Sequence, residues 1–241
     1  MRAKRPHSIL AMLLAATALL PPLTGAYVAA NAATSFEDPF TGDDSAHYET
    51  EGGKWAFDPS RHGLTMAKAT ESNNEGMWAL RRDVTLPRAF TLEADYTADG
   101  NDTSAALALK NPDTGDYACA TLSLKKDDAG GWWVTAWIVY SYPDEKWAYL
   151  QQSKQHVAGL ADPTFRLQLT RSPGSNALEF LVANSDLGTL ETSLSVETVG
   201  EDGRKLSGAW PDTLNSLSCV GVYGYDSGGT WANIRLTDLS K

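Results

Sequence analysis

The chain is 241 residues long and 42% hydrophobic, with 30 acidic against 20 basic side chains and a formal net charge of −10. That balance, with no basic cluster along the sequence, repels nucleic acid and anionic membranes and leaves neutral glycans, cations and basic partners as compatible ligands. Beyond residue 32 no apolar run approaches the length of a membrane-spanning helix.

Arg2, Lys4 and Arg5 precede an apolar stretch from Ile9 to Leu20, and Ala30-Asn31-Ala32 fits the small-x-small pattern of a signal-peptidase site. Residues 1–32 are therefore expected to be a cleaved signal peptide, and residues 33–241 a single β-sandwich domain secreted to the extracellular space. The signal holds three basic and no acidic residues, so the remaining 209 residues carry 17 basic against 30 acidic side chains, a net −13. No cysteine lies near the cut, which argues against a lipid anchor.

After the cut the sequence reads as short strands broken by turn chemistry. Ser35 to Phe40 is edge-like, because Pro39 has no place in a central strand. Brief apolar runs at Trp55–Phe57 and Leu64–Met66 lie among turns at Thr41–Asp44, Gly52-Gly53 and Asp58-Pro59. Met77–Val84 and Phe90–Thr97 follow; in the second, Phe90, Leu92, Ala94 and Tyr96 alternate with Thr91, Glu93, Asp95 and Thr97, the pattern of a half-buried strand. Further strands are predicted at Ala105–Lys110, Tyr117–Lys125, Phe165–Thr170, Leu178–Ala183, Cys219–Tyr225 and Trp231–Leu239, with strong turns at Asn111–Asp116 and Ser172–Asn176. Asn184–Ser216 is the least legible part, read as a strand at Ser193–Thr198 and a polar, Gly-rich loop up to Pro211. About ten to twelve short strands at this spacing predict an all-β fold, an antiparallel two-sheet sandwich or jelly roll.

The stretch Trp132–Leu150, WWVTAWIVYSYPDEKWAYL, holds four of the eight tryptophans and seven of the 23 aromatic residues. It reads as a hairpin turning at Tyr142–Glu145. Trp132, Val134, Ala136, Ile138, Tyr140 and Tyr142 form a face suited to the core, while Trp133, Thr135, Trp137, Val139 and Ser141 form a greasy but wet second face. Tryptophan and tyrosine offer a flat apolar face with a polar edge, which matches a sugar ring. The predicted stacking residues are Trp133, Trp137, Trp147 and Tyr149, with Gln151, Gln152 and Ser153 as flanking hydrogen-bonding groups. The competing reading packs Trp133 and Trp137 under a loop as a satellite core.

Cys119 and Cys219 each sit in a strand-like run. In an exported protein the even count favours a disulfide over two buried thiols, worth about 4 to 5 kcal/mol on the chain-entropy account. His47, His62 and His156 show no metal-binding spacing, and neither a nucleophile elbow nor a dinucleotide fingerprint occurs.

These residues taken together resemble the concanavalin A-like lectin/glucanase superfamily in its LamG-like jelly-roll form. The likeness is carried by Phe36-Glu37-Asp38-Pro39-Phe40, FTLEADYT, ALALKNPDTGDYACATL, FRLQLTRSPGSNALEFLVA and VGVYGYDSGGTWANIRLTDL, and spans essentially all of residues 33–241. It implies a jelly-roll β-sandwich. It also implies a structural calcium ion between the first and last strands, with Asp38 at the early position and Asn233 where a carboxylate is usual. Glu93-Ala94-Asp95 resembles the catalytic strand of the family 16 glucanases, but Thr97 and Ala98 stand where their second glutamate would be, so the acid/base partner is missing. A lyase reading would use His62 or His156 with a tyrosine such as Tyr140, although the lyase strand motifs are absent.

The first expectation is a glycan-binding jelly roll with Glu93, Asp95 or Gln151 as hydroxyl partners. The alternatives are a glycoside hydrolase or polysaccharide lyase whose carboxylates come from separate strands, Glu93 or Asp95 with Glu179, and a protein-binding adhesion domain.

Overall fold

A computed structural model describes residues 33–240 apart from 53, 68–76, 143–144, 196–209 and 226–227, and describes only the backbone of residues 33–34, 141–151 and 225. The elements run β1 (Ala33–Asp38), a 3-10 turn (Ser45–His47), β2 (Glu49–Glu51), β3 (Lys54–Asp58), β4 (Gly63–Ala67), β5 (Met77–Arg81), β6 (Phe90–Asp99), β7 (Asp102–Lys110) and β8 (Tyr117–Lys126). They continue with β9 (Trp132–Tyr142), β10 (Glu145–Val157), β11 (Thr164–Arg171), β12 (Leu178–Asn184), β13 (Gly188–Leu194), α1 (Trp210–Ser216), β14 (Cys219–Tyr225) and β15 (Gly228–Asp238). All the strand pairs are antiparallel and make two packed sheets. One has the order β13-β12-β11-β6-β15-β4-β3, with β1 also on β15; the other has the order β10-β9-β8-β7-β14-β5-β2.

The alternation read along β6 is what builds the core. Phe90, Leu92, Ala94, Tyr96 and Ala98 are buried while the residues between them are not, so one pleat face meets the opposite sheet and the other faces out. On β9 the same rule sends Val134, Ala136, Ile138 and Tyr140 into that core. A break in register between Ala232 and Arg235, with Asn233 at φ 51, lets β15 change partners along one edge: β4 pairs with Gly229–Trp231 and β1 with Ile234–Asp238. Asparagine tolerates this left-handed conformation better than most residues. Of the strand expected at Ser193–Thr198, Ser193 and Leu194 belong to β13 and residues 196–198 lie outside the described residues, as does most of the loop expected up to Pro211; α1 follows, with its Trp210 fully buried against Tyr140 at 4.8 Å.

The expected disulfide is not formed: Cys119 and Cys219 are both free and buried. The topology forbids it. Cys119 is on β8, Cys219 on β14, and β7 lies between them, so their backbones are two ladder spacings apart, about 9.5 Å, beyond the roughly 7 Å a disulfide can span. Burial also pushes the Cys119 thiol pKa up, which keeps it protonated and unreactive.

The two sheets are tied at one edge by a buried ion pair. Arg81, at the end of β5, donates to Asp38 at the end of β1 and makes two 2.6 Å bonds to Asp83, while Tyr48 donates to Asp38 at 2.7 Å. The Phe36 ring stacks on the guanidinium at 4.6 Å. Burial alone would lower the Arg81 pKa, but its hydrogen bonds to Asp83 and Asp38 hold it above its ordinary value. Burial, followed by the Asp38 charge, pushes the Tyr48 hydroxyl well up.

Two outcomes follow. In denaturant without reductant, both cysteines should react with a thiol reagent, and reductant should leave the melting temperature unchanged; a chain with no titratable thiol contradicts the register. Asp38→Asn should cost about 3 kcal/mol in urea unfolding, because it strands part of a buried charge; a loss below about 1 kcal/mol, the range of an exposed pair, would contradict the buried link.

Candidate functional site

The seven-stranded sheet is apolar on both faces. β5 is buried at all five positions and β7 from Ala105 to Leu109, so alternate residues serve two different layers. Its inner side chains join the main core. Its outer ones form a separate cluster of Trp78, Leu80, Ala106, Ala108, Cys119 and Val139, with Tyr117, Trp137 and Tyr223 packed against it. The strand registers set Gln152, Trp137, Thr121, Ala106, Tyr223, Trp78 and Glu51 in one row across the sheet. A parallel row holds Lys154, Thr135, Ser123 and Ser104, and Ser104 and Ser123 are hydrogen-bonded at 3.3 Å.

Aromatic rings therefore lie over a floor of the smallest side chains. Trp78 is held between Tyr117 at 5.2 Å and Tyr223 at 4.6 Å, with the Lys110 ammonium 4.6 Å from its ring. Lys110 is itself paired with Glu51. Gly221 is required beneath them, because a Cβ there would sit 2.0 Å from the Ala79 carbonyl oxygen.

At the far end of the same face Trp133 is 38% exposed, the large hydrophobic side chain most open to water among the described residues. Lys154 lies 4.3 Å from its ring centroid and His156 packs edge-on at 4.8 Å. His156 Nε2 is 2.7 Å from Asp127 Oδ2, and Asp127 Oδ1 accepts from the Ala129 and Gly131 amides. The His156 hydrogen bond, then the Gly131 and Ala129 amides, hold the Asp127 carboxyl below its ordinary range. A Cβ at 131 would come within 2.5 Å of His156 Nε2 and push the imidazole out of this position. A loop and two strand ends thus fix the imidazole beside the exposed indole.

The predicted second face of β9 is thereby divided. Trp137 and Val139 belong to a satellite cluster, built by the sheet's own side chains, and Trp133 stands open to solvent. The side chains of Trp147, Tyr149 and Gln151 lie outside the described residues. Trp78, Tyr117, Tyr223 and Lys110 were not anticipated. Their signal was present in Met77–Arg81 and Ala105–Leu109, where apolar residues run without alternation, as they do when both faces of a strand are covered.

The carboxylates lie elsewhere. Glu93, Asp95 and Glu179 project from the outer face of the eight-stranded sheet, on the opposite side of the sandwich from Trp133 and Trp137. Two sheet layers, about 10 Å apart, separate the two groups, so Glu93 and Asp95 do not share a ligand with the tryptophans, contrary to expectation. Glu93 is held by Arg166 at 2.8 Å and Arg235 at 3.1 Å, and Asp95 accepts from Asn233 at 2.7 Å. Glu179 lies two strands from Glu93 and one register step of two residues away, about 12 Å between backbones from the ladder spacings. Glycosidase carboxyl groups stand about 5 to 9.5 Å apart, and here Glu93 is already turned into its two arginines, which hold it as an ion pair in place of a partner for Glu179. Tyr140 is fully buried in the core, on the other side of β9 from His156, and does not join it as a lyase acid.

The implied calcium ion does not fit either. Asp38 already neutralises Arg81 and accepts from Tyr48, and Asn233 donates through Nδ2 to Asp95 on the outer face of the sheet. A divalent cation needs six to eight oxygens and would here meet a buried guanidinium. Among the described residues no group of three or more His, Cys, Asp or Glu side chains gathers as a metal site.

Neither a family model nor a curated protein matches the sequence. Solved structures do match in shape. A protein of unknown function with a galectin-like fold from Bacillus subtilis shares 13% identity at a TM-score of 0.53, over 85% of this chain and 95% of that one. Winged bean acidic lectin, solved with methyl-α-D-galactose, shares 9% identity at 0.52, over 86% and 98%. A family 43 protein, BlXynB from Bacillus licheniformis, shares 9% at 0.52, over 84% of this chain but 38% of its own. Such likeness carries fold and not activity. The chain has the concanavalin A-like jelly-roll fold.

Proposed function

We propose that this chain is an exported carbohydrate-binding protein, released by cleavage after residue 32, which holds an extracellular oligo- or polysaccharide across the outer face of its seven-stranded sheet. The observation that carries the reading is the exposed Trp133 at one end of a face whose other aromatics are Trp137, Trp78, Tyr117 and Tyr223. An indole open to water gives no folding benefit in proportion to its apolar area, and a fixed indole is a ready stacking surface. Thr135, Ser123, Ser104 and Gln152 supply hydroxyl and amide groups between the rings, at the spacing of the strands, where they meet the rim of a flat ligand. Lys154, exposed at its head, swings aside or donates to a ring hydroxyl. Binding without cleavage is favoured because the candidate carboxylates stand on the opposite face, occupied by arginines and an asparagine.

The test is retention and product release on a panel of soluble polysaccharides. Trp133→Ala should weaken binding of the retained glycan by on the order of 1 kcal/mol, about fivefold in Kd, with the melting temperature unchanged, and Glu93→Gln should leave binding intact. Retention unaffected by Trp133→Ala sinks the stacking proposal. New reducing ends or unsaturated products that vanish in Glu93→Gln would establish an enzyme instead.

A further inference from the structure

At one end of the sandwich, away from the aromatic face, a cleft of about 350 Å³ lies between the β11–β12 turn, α1 and the segment after β15. Its walls include Arg88, Arg171, Ser175, Asn176, Asn215 and Ser240. Arg171 is the last residue of β11 and points to the inner side of its sheet. It is 6% exposed, yet no described carboxylate pairs with its guanidinium. Its partners are neutral oxygens: Nε donates to the Ser175 carbonyl at 3.0 Å, and Nη2 to Asn215 Oδ1 at 2.8 Å and Asn176 Oδ1 at 3.4 Å. No hydrogen bond forms at Nη1 among the described residues. The second guanidinium, Arg88, is exposed and has no ion pair among the described residues. Asp238, near this corner, accepts from the Ser240 amide.

Such an arrangement is costly for an isolated cation, since carbonyl dipoles solvate a buried charge without cancelling it. Burial, then the neighbouring Arg88 charge, pushes the Arg171 pKa down, which is the physical mark of a positive site lacking its counter-charge. In a chain with ten more acidic than basic residues, two arginines set together with no carboxylate paired to either among the described residues stand out. The walls are also fixed in advance. Trp210 Nε1 donates to the Asn176 carbonyl at 2.7 Å, the Ala177 amide to Ser175 Oγ at 2.9 Å, and the Ala89 amide to Ser240 Oγ at 3.2 Å. Little ordering is left for a ligand to impose.

We infer that this cleft is an anion-binding site in which Arg171 Nη1 and the Arg88 guanidinium take an oxyanion, either the carboxylate of an acidic monosaccharide or a free inorganic oxyanion such as sulfate. The cleft volume lies at the small end of ligand pockets and suits a single sugar ring or less. The Asn176 and Asn215 carboxamides, whose oxygens face Arg171, retain N–H donors for the same ligand. Binding here is independent of the aromatic face.

Calorimetric titration of the intact protein at low ionic strength, with sodium glucuronate, sodium sulfate, glucose and sodium chloride in separate arms, tests it. Saturable binding of glucuronate or sulfate is expected, with none for glucose or chloride; glucuronate alone identifies the sugar carboxylate, and sulfate the free oxyanion. Arg88→Gln, at an exposed position, should weaken that binding about tenfold or more, the scale of a charge-assisted hydrogen bond. Arg171→Gln, once circular dichroism shows it folded, should abolish it, and Trp133→Ala should leave it unchanged. No saturable isotherm with either oxyanion, or an unchanged affinity in Arg88→Gln, overturns the assignment.

Discussion

A sheet that must be apolar on both faces is the constraint from which the rest of this structure follows. β7 sits at the centre of the seven-stranded sheet and β5 lies beyond β14 beside the β2 edge, and both are buried on both faces, with leucine and alanine pointing in both directions and Trp78 outward. One set of these side chains completes the sandwich core. The other has no second sheet to meet and is closed over by aromatic rings, Trp78 between Tyr117 and Tyr223 with Trp137 beyond Thr121. An aromatic outer surface is thus a consequence of how the sheet is stabilised, and the proposed recognition builds on what packing already requires. Residues at the margin of that cluster, Trp133 above all, are the ones free to meet a ligand.

The opposite sheet follows the other rule. Its strands β6, β11 and β12 alternate, so their outer face is polar, and threonines, arginines and carboxylates on it satisfy one another in the ladders β6-β11 and β6-β15. Glu93 between two arginines is a sheet-stabilising group. The same alternation that places Glu93 and Asp95 side by side on one face also places them away from the aromatic surface. The candidate carboxylates and the aromatic surface are kept apart by a whole core layer.

Much of the architecture was legible because it depends on period-2 patterning and on turn residues, both local. β6, β9 and β12 read correctly for that reason, and the inner face of β9 was assigned residue by residue from Trp132 to Tyr140, Tyr142 lying outside the described side chains. What failed was non-local. The Cys119–Cys219 disulfide rested on an even count in a chain expected to be exported, but which strand lies between two others is set by topology, and β7 intervenes. Asp38 looked like a metal ligand until Arg81, 43 residues away, took its charge. α1, seven residues beginning Trp210-Pro211, is too short to show periodicity. Arg171 reads in the sequence as one more charge on a strand end; its burial without a carboxylate is visible only once the turn and α1 close around it.

The central claim, that the ligand lies on the outer face of the seven-stranded sheet, is tested most directly by nuclear magnetic resonance of the 15N-labelled protein titrated with a retained oligosaccharide. The account predicts shifts of the Trp133 and Trp137 indole N–H signals together with the backbone amides of Thr135, Thr121 and Ser123, and quiet amides from Thr91 to Thr97. Shifts confined to Thr91–Thr97 and Arg166–Thr170, with both indoles unmoved, would place the ligand on the opposite sheet and contradict it.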